Sequence, residues 1–274
     1  MGILKDHSDS AINDSMEANF IGFWSMCKLL PNMDLYKGDD MLRLFTGLPH
    51  PLMNEIVRAQ LDDENLEAKV EETINFFKQR TVPFMWQIGP SSRPNGLGEI
   101  ISTYGLTKLE HDPPGMAVDL RKLDEATFHE TTNRSNVTIK QVQNAGELRK
   151  WSSIVGKCFD FPDSVTNAFY EMMTVVLGEE ENLVNYLAFL NGDPVASSTV
   201  AYSAGVAGIW CVGTLSKHRG QGIGTAITMA PLLDARKRGY EISILSSTEQ
   251  GFNVYRRMGF KKTCEWRQYV WTPD

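Results

Sequence analysis

The stretch Gly213-Thr214-Leu215-Ser216-Lys217-His218-Arg219-Gly220-Gln221-Gly222-Ile223-Gly224 decides the reading of this chain. An apolar run at 207–215 leads into it, and a helical pattern leaves it from about 222 to 238. A strand that passes through a glycine-rich turn into a helix N-terminus makes an anion site. Backbone N–H groups point outward there, and the helix dipole favours negative charge. Glycine lets the backbone approach a phosphate without a Cβ in the way. Arg219 either adds positive charge or pins the loop. No Gly-Lys-Ser/Thr follows, so the stretch is not a P-loop. Nor does it follow the first strand of a βαβ unit with a ribose-binding acid beyond, which a dinucleotide fingerprint requires.

Outward from this loop the second half of the chain is well patterned. A strand is expected at 137–142, amphipathic helices at about 145–158 and 164–177, and strands at 184–190, 195–203 and 207–215. Asn191-Gly192-Asp193-Pro194 is a hairpin signal between the first two of those three strands. The long helix ends in Arg236-Lys237-Arg238, cations that suit its C-terminal dipole, and Gly239 stops it. Pro231 falls inside and should kink it. A strand at 241–246, a short helix at about 250–258 and a last strand at 260–271 complete a mixed α/β sheet. A polar stretch at 125–136 reads as a linker in front of this half.

Two motifs together carry a resemblance. Arg219-Gly220-Gln221-Gly222-Ile223-Gly224 resembles the R/Q-x-x-G-x-G/A pyrophosphate loop of the GNAT acetyltransferases. Asn253-Val254-Tyr255-Arg256-Arg257-Met258-Gly259-Phe260, at the right distance downstream, resembles that family's Tyr-x-x-x-Gly-Phe segment. The resemblance covers roughly residues 137–271. It implies that the strand ending Val212-Gly213-Thr214 splays from its neighbour and pairs with the pantetheine arm of acetyl-CoA as an added strand would. It implies that the amides of Gly220, Gln221, Gly222, Ile223, Gly224 and Thr225 cradle the pyrophosphate, with Arg219 beside them. Thr248 stands where the family often has an Asn near the pantetheine, and Ser216 where it often has Pro. The implied reaction is direct attack of a primary amine on the thioester in a ternary complex, with the amide near Thr214 on the oxyanion and Tyr255 as general acid. Asp160, Asp163 and Glu171 are candidate bases only by their place around the loop between the first two helices. Asp163 also stands where a helix cap would, and water could relay the proton instead.

The first half echoes the second weakly. A helix at about 66–80, a strand at 83–89, a helix at 97–103 with Gly105-Leu106 after it, and a strand at 115–120 parallel the later elements. The chain reads as two tandem GNAT-like domains, each a mixed, mostly antiparallel sheet flanked by helices. The first, 1–124, is degenerate; 125–136 is the linker; 137–274 is catalytic. Arg93-Pro94-Asn95-Gly96-Leu97-Gly98 matches R-x-x-G-x-G literally but follows the wrong strand. The segment expected before the long helix is Gly47-Leu48-Pro49-His50-Pro51-Leu52, where two prolines remove amide donors. Ile101 takes the place of Tyr255. Trp24, Phe84 and Trp86 read as core.

Bulk properties narrow the function classes. Residues 1–135 carry 13 Lys/Arg against 21 Asp/Glu, and residues 136–274 carry 14 against 13. That balance argues against a nucleic-acid face. Cys27, Cys158, Cys211 and Cys264 form no C-x-x-C pair and have no His at ligand spacing, so free thiols and no metal are expected. No apolar run reaches membrane-spanning length, the N-terminus lacks a signal-peptide core, and position 6 fails the myristoylation pattern, so a cytoplasmic enzyme is expected. The alternative is a non-enzymatic acyl-CoA-binding regulatory module. A protein N-terminus, a lysine side chain, a polyamine, an amino acid and an antibiotic all stay open as acceptor.

Overall fold

The computed structural model describes residues 2–178 and 180–273. In chain order the elements are α1 (Asp9–Met26), β1 (Asp34–Lys37), β2 (Met41–Phe45), β3 (Asn54–Ala59), α2 (Leu66–Lys78), β4 (Phe84–Ile88), α3 (Leu97–Thr103), β5 (Thr107–Lys108) and β6 (Pro114–Asp119). There follow α4 (Glu125–Ser135), β7 (Val137–Gln141), α5 (Ala145–Cys158), α6 (Asp163–Met172), β8 (Leu183–Leu190), β9 (Asp193–Ser203) and β10 (Val206–Thr214). The chain ends with α7 (Ile223–Lys237), β11 (Ile242–Ser246), α8 (Glu249–Arg257), β12 (Lys261–Glu265) and β13 (Arg267–Trp271). Among the described residues no helix is long and apolar enough to cross a membrane.

The chain folds as two compact units. The larger holds Met1–Lys28 and Gly115–Thr263, the smaller Leu29–Pro114 and Cys264–Asp274. One sheet runs β12-β6-β11-β10-β9-β8-β7 and the other β1-β2-β3-β4-β13-β5. Each recorded ladder is antiparallel except one pair per sheet, β10 with β11 and β3 with β4, which are joined by the crossover helices α7 and α2. The mixed, mostly antiparallel sheets flanked by helices are the expected fold.

The boundary is not the expected one. Residues 125–135 are helix rather than linker. Asp124 caps the first turn by accepting the Ala126 amide at 2.9 Å, and Asn136 ends α4 in the left-handed region. The helix is held against α7, where Arg236 donates to the Leu123 carbonyl at 2.9 Å and pairs with Glu125. The strand expected to close the first domain, β6, pairs with β11 in the larger unit's sheet. The expected last strand is two strands. β12 stays beside β6, and β13 pairs with β4 in the smaller unit's sheet. The strand next to each crossover pair therefore comes from the opposite end of the chain order, which a cut at 125–136 does not allow.

Local chemistry explains the elements that hold the site. The β8–β9 turn is Asn191-Gly192, both at positive φ (53° and 88°), as a two-residue hairpin demands. Trp24, Phe84 and Trp86 are core, as expected. Helix α7 runs through Pro231 unbroken. Proline offers no N–H to the Ile227 carbonyl one turn back. That carbonyl accepts instead from the hydroxyl of fully buried Ser198, on β9, at 2.8 Å. Ser198→Ala strands a buried acceptor. It is expected to lower the unfolding free energy by about 1–3 kcal/mol, read by urea denaturation, and an unchanged midpoint would refute this account.

Candidate active site

The candidate site lies within the larger unit, at the C-terminal ends of β10 and β11. Their parallel register is Ala207 with Ser243 and Gly208 with Ile244. Beyond it β10 runs on to Thr214 and β11 to Ser246, with no further pairing recorded among the described residues. Past that register the strands splay, and β10 has no described strand partner on the β11 side around Val212, Gly213 and Thr214.

The strand bends at its mouth. Its register with β9 slips between Trp210 and Gly213, and Cys211 sits at φ 51°, left-handed backbone that non-glycine residues seldom adopt. Fully buried Ser197 donates its hydroxyl to the Cys211 carbonyl at 3.0 Å. Past the bulge the Leu215 amide donates to the Val195 carbonyl at 3.0 Å. In an antiparallel ladder alternate amides face opposite sides, so Gly213 and Leu215 face β9, while Val212 and Thr214 face the splay. A Cβ on Gly213 would lie 2.8 Å from both Cβ and Sγ of Cys158, so only glycine fits there.

The loop that follows is shaped by its glycines. Gly220 (φ 74°) and Gly222 (φ 82°) are both left-handed, and a Cβ on Gly220 would meet no atom within 4 Å. Gly222 is the N-cap of α7 without a side-chain cap, and the Ala226 amide is the first to close on its carbonyl, at 3.1 Å. The amides of Ile223, Gly224 and Thr225 are thus the unpaired donors of a helix start. Gly220, Gln221 and Gly222 lie exposed above buried Ile223. Arg219 pins the loop rather than standing free. Its Nε donates to the Thr214 carbonyl at 3.1 Å, and one of its terminal nitrogens reaches Gln250 Oε1 of α8 at 3.3 Å. A phosphate-bearing ligand fits what is present: an open glycine turn, free amides and no carboxylate in the stretch 213–224.

Tyr255 sits on α8 with its ring against Phe260, 5.8 Å between centroids. Gly251 permits this, since a Cβ there would lie 2.7 Å from the Tyr255 ring. Burial pushes the phenol up to about 12, so the hydroxyl keeps its proton across the physiological range. Thr248 caps α8, its hydroxyl accepting the Gly251 amide at 3.2 Å. The three candidate bases are scattered. Asp160 is in the left-handed turn after α5, Asp163 opens α6, Glu171 lies near its end, and all are exposed. Sequence reasoning missed Ser197, Cys211 and Cys158. A serine inside a strand carries no signal, and a bulge shows only once the register is known.

Among its described residues the smaller unit shows no such arrangement. The helix that matches α7 by topology is α2, and the segment before it is Gln60-Leu61-Asp62-Asp63-Glu64-Asn65, not the expected 47–52, which precedes β3. Three carboxylates at that helix start suit its dipole and repel a phosphate. The literal match at Arg93 sits where the β3–β4 pair would open. The Arg93 amide donates to the Ala59 carbonyl at 2.7 Å, and the Leu61 amide to the Arg93 carbonyl at 3.2 Å. The chain's own backbone thus takes the hydrogen bonds an added strand would make. Ile101, in the place of Tyr255, is fully buried core.

Comparison with known proteins gives a family match and a likeness of fold. Residues 138–263 match the family model described as "Acetyltransferase (GNAT) domain". A search among curated proteins finds no match. Among solved structures, a GCN5-related N-acetyltransferase from Kribbella flavida is similar at a TM-score of 0.65 and 20% identity, over 92% of this chain and 95% of that one. A tandem GNAT protein from the clavulanic acid biosynthesis pathway is similar at 0.60 and 11%, over 100% and 97%. A GCN5-related N-acetyltransferase from Sphaerobacter thermophilus is similar at 0.63 and 17%, over 85% and 76%. At these identities the likeness is one of fold. Residues 138–263 are a domain of the GNAT acetyltransferase family, and the chain that carries them has the tandem GNAT fold.

Proposed function

We propose that the larger unit transfers an acetyl group from acetyl-CoA to a primary amine by direct attack in a ternary complex. One observation carries the reading: a splayed parallel pair opens into a glycine turn with free amides, and Arg219 of that turn reaches α8, the helix whose Tyr255 burial keeps protonated. Val212 and Thr214 would offer their amides to the pantetheine arm, with Gly213 between them turned to β9. The amides from Gly220 to Thr225 would take the pyrophosphate, with Arg219 holding the loop and Thr248 capping α8 nearby. The Thr214 amide faces the splay and is the donor for the oxyanion. Tyr255 donates the proton that the leaving thiolate needs. With the three candidate carboxylates exposed, a water relay is the route for the amine's proton. The smaller unit takes no part in binding CoA. Its acidic loop and its self-paired strands support that assignment.

The test is calorimetric titration of acetyl-CoA into the wild type and Gly222→Trp, with circular dichroism to confirm folding. A Trp at φ 82° is strained and blocks the approach of the pyrophosphate. The wild type is expected to bind and the variant to lose about tenfold or more in affinity. Wild-type protein that does not bind, or a folded variant that binds equally, would overturn the reading.

A further inference from the structure

We infer that Ser197 is a positioning residue: by holding the Cys211 carbonyl it sets the register in which the amides of Val212 and Thr214, and not that of Gly213, face the acyl-CoA cleft. The inference rests on the acetyl-transfer reading above and adds a determinant to it.

The argument is one of parity. Before the bulge Trp210 stands opposite Thr199; after it Gly213 stands opposite Ser197 and Thr214 opposite Ala196. An unbulged strand would place Val212 opposite Ser197. Because side chains and amides alternate with a period of two, a slip of one residue turns every group beyond it to the other side. Without the extra residue the amides of Val212 and Thr214 would point into β9, and the cleft would meet the Gly213 amide alone.

Two independent features select the bulged register. The first is the Ser197 hydroxyl, fully buried, which donates to the Cys211 carbonyl at 3.0 Å. It compensates a non-glycine residue at φ 51°, a conformation that costs about 1–3 kcal/mol. The second is the wall made by Cys158. In the unbulged register Val212 would take Gly213's place, where even a Cβ lies 2.8 Å from Cys158 Sγ. Glycine at 213 admits the bulged register, and serine at 197 holds it.

The test uses amide exchange followed by NMR, and calorimetry with acetyl-CoA and with CoA, on the wild type, Ser197→Ala and Ser197→Ala/Cys211→Gly. In the wild type the Gly213 and Leu215 amides are expected to exchange slowly and those of Val212 and Thr214 quickly. In Ser197→Ala the Gly213 amide is expected to exchange about tenfold faster. Acetyl-CoA, which presents a thioester carbonyl, is expected to bind about tenfold more weakly to Ser197→Ala, while CoA loses less than about threefold. Cys211→Gly removes the backbone strain, so the double variant is expected to recover most of the lost exchange protection and affinity. Unchanged Gly213 exchange in Ser197→Ala, or equal losses for acetyl-CoA and CoA, would overturn the inference. A wild type with the expected exchange pattern and no acetyl-CoA binding would overturn the acetyl-transfer reading, and with it the purpose assigned to the register, while leaving the register itself established.

Discussion

Tyr255→Phe is expected to lower kcat for acetyl transfer by about a hundredfold while leaving the affinity for acetyl-CoA within about threefold. The ring is in the core beside Phe260 and over Gly251, so phenylalanine keeps the packing and removes one hydroxyl. The hydroxyl has a proton to give because burial pushes its titration up to about 12. A tyrosine held that way is protonated wherever the protein is folded, and wild-type rates should show no loss from its ionisation through pH 9. The measurement is steady-state kinetics on a panel of primary amines, with acetyl-CoA binding followed separately. Transfer that survives in Tyr255→Phe would remove Tyr255 from the chemistry. Acetyl-CoA binding with no turnover on any amine would favour a regulatory acyl-CoA-binding module instead.

The site's backbone was legible because its chemistry is local. Gly220 and Gly222 are needed where the chain turns left-handed, Arg219 sits one residue before, and Tyr255 follows at the spacing of a strand and a helix. The Asn191-Gly192 hairpin, the core tryptophans and the mixed sheet were legible for the same reason. What was not legible is non-local. That β6 leaves the first half to pair with β11, and that β13 returns to pair with β4, are facts of strand partnership that no window of residues contains. Helix α4 was hidden by its polar composition, although its caps, Asp124 and Asn136, stood in place. The smaller unit's segment that corresponds to residues 213–224 precedes α2 and not β3, which only the strand order reveals. Once β3 and β4 are known as that sheet's parallel pair, the segment before α2 follows, and its three acids, more directly than two prolines, would oppose a phosphate there. Arg93 shows the same limit from the other side. A literal motif match became a plug, because its backbone completes the strand edge a ligand would need.

Glu55→Gln is expected to stabilise the protein at pH 8 by about 1–3 kcal/mol and to leave it nearly unchanged at pH 5. Glu55 lies on β3 at 4% exposure. Its carboxyl accepts from Gln87 of β4, whose own carbonyl oxygen accepts from Gln268 of β13 at 3.1 Å. One neutral donor does not replace the water a carboxylate loses, and burial pushes Glu55 up to about 8. In the unfolded chain the group titrates near 4.5. Between those values the folded state holds a proton that the unfolded state has released. Stability therefore falls as pH rises, by at most about 1.4 kcal/mol per pH unit from this group, and levels off once Glu55 ionises in both states. Glutamine keeps the shape, can accept from Gln87 through its amide oxygen, and has no charge to desolvate. Urea denaturation at pH 5, 6.5 and 8 should give midpoints that decline with pH in the wild type and decline less in the variant. Parallel declines would mean that Glu55 ionises at its ordinary value and that the row Glu55–Gln87–Gln268 opens to water in solution. The charge sits at one end of a row that crosses β4 to β13, the strand that residues 267–271 contribute to the smaller unit. A flattened pH profile in Glu55→Gln would thus locate acid–base sensitivity at that strand's row, away from the loop that would hold the cofactor.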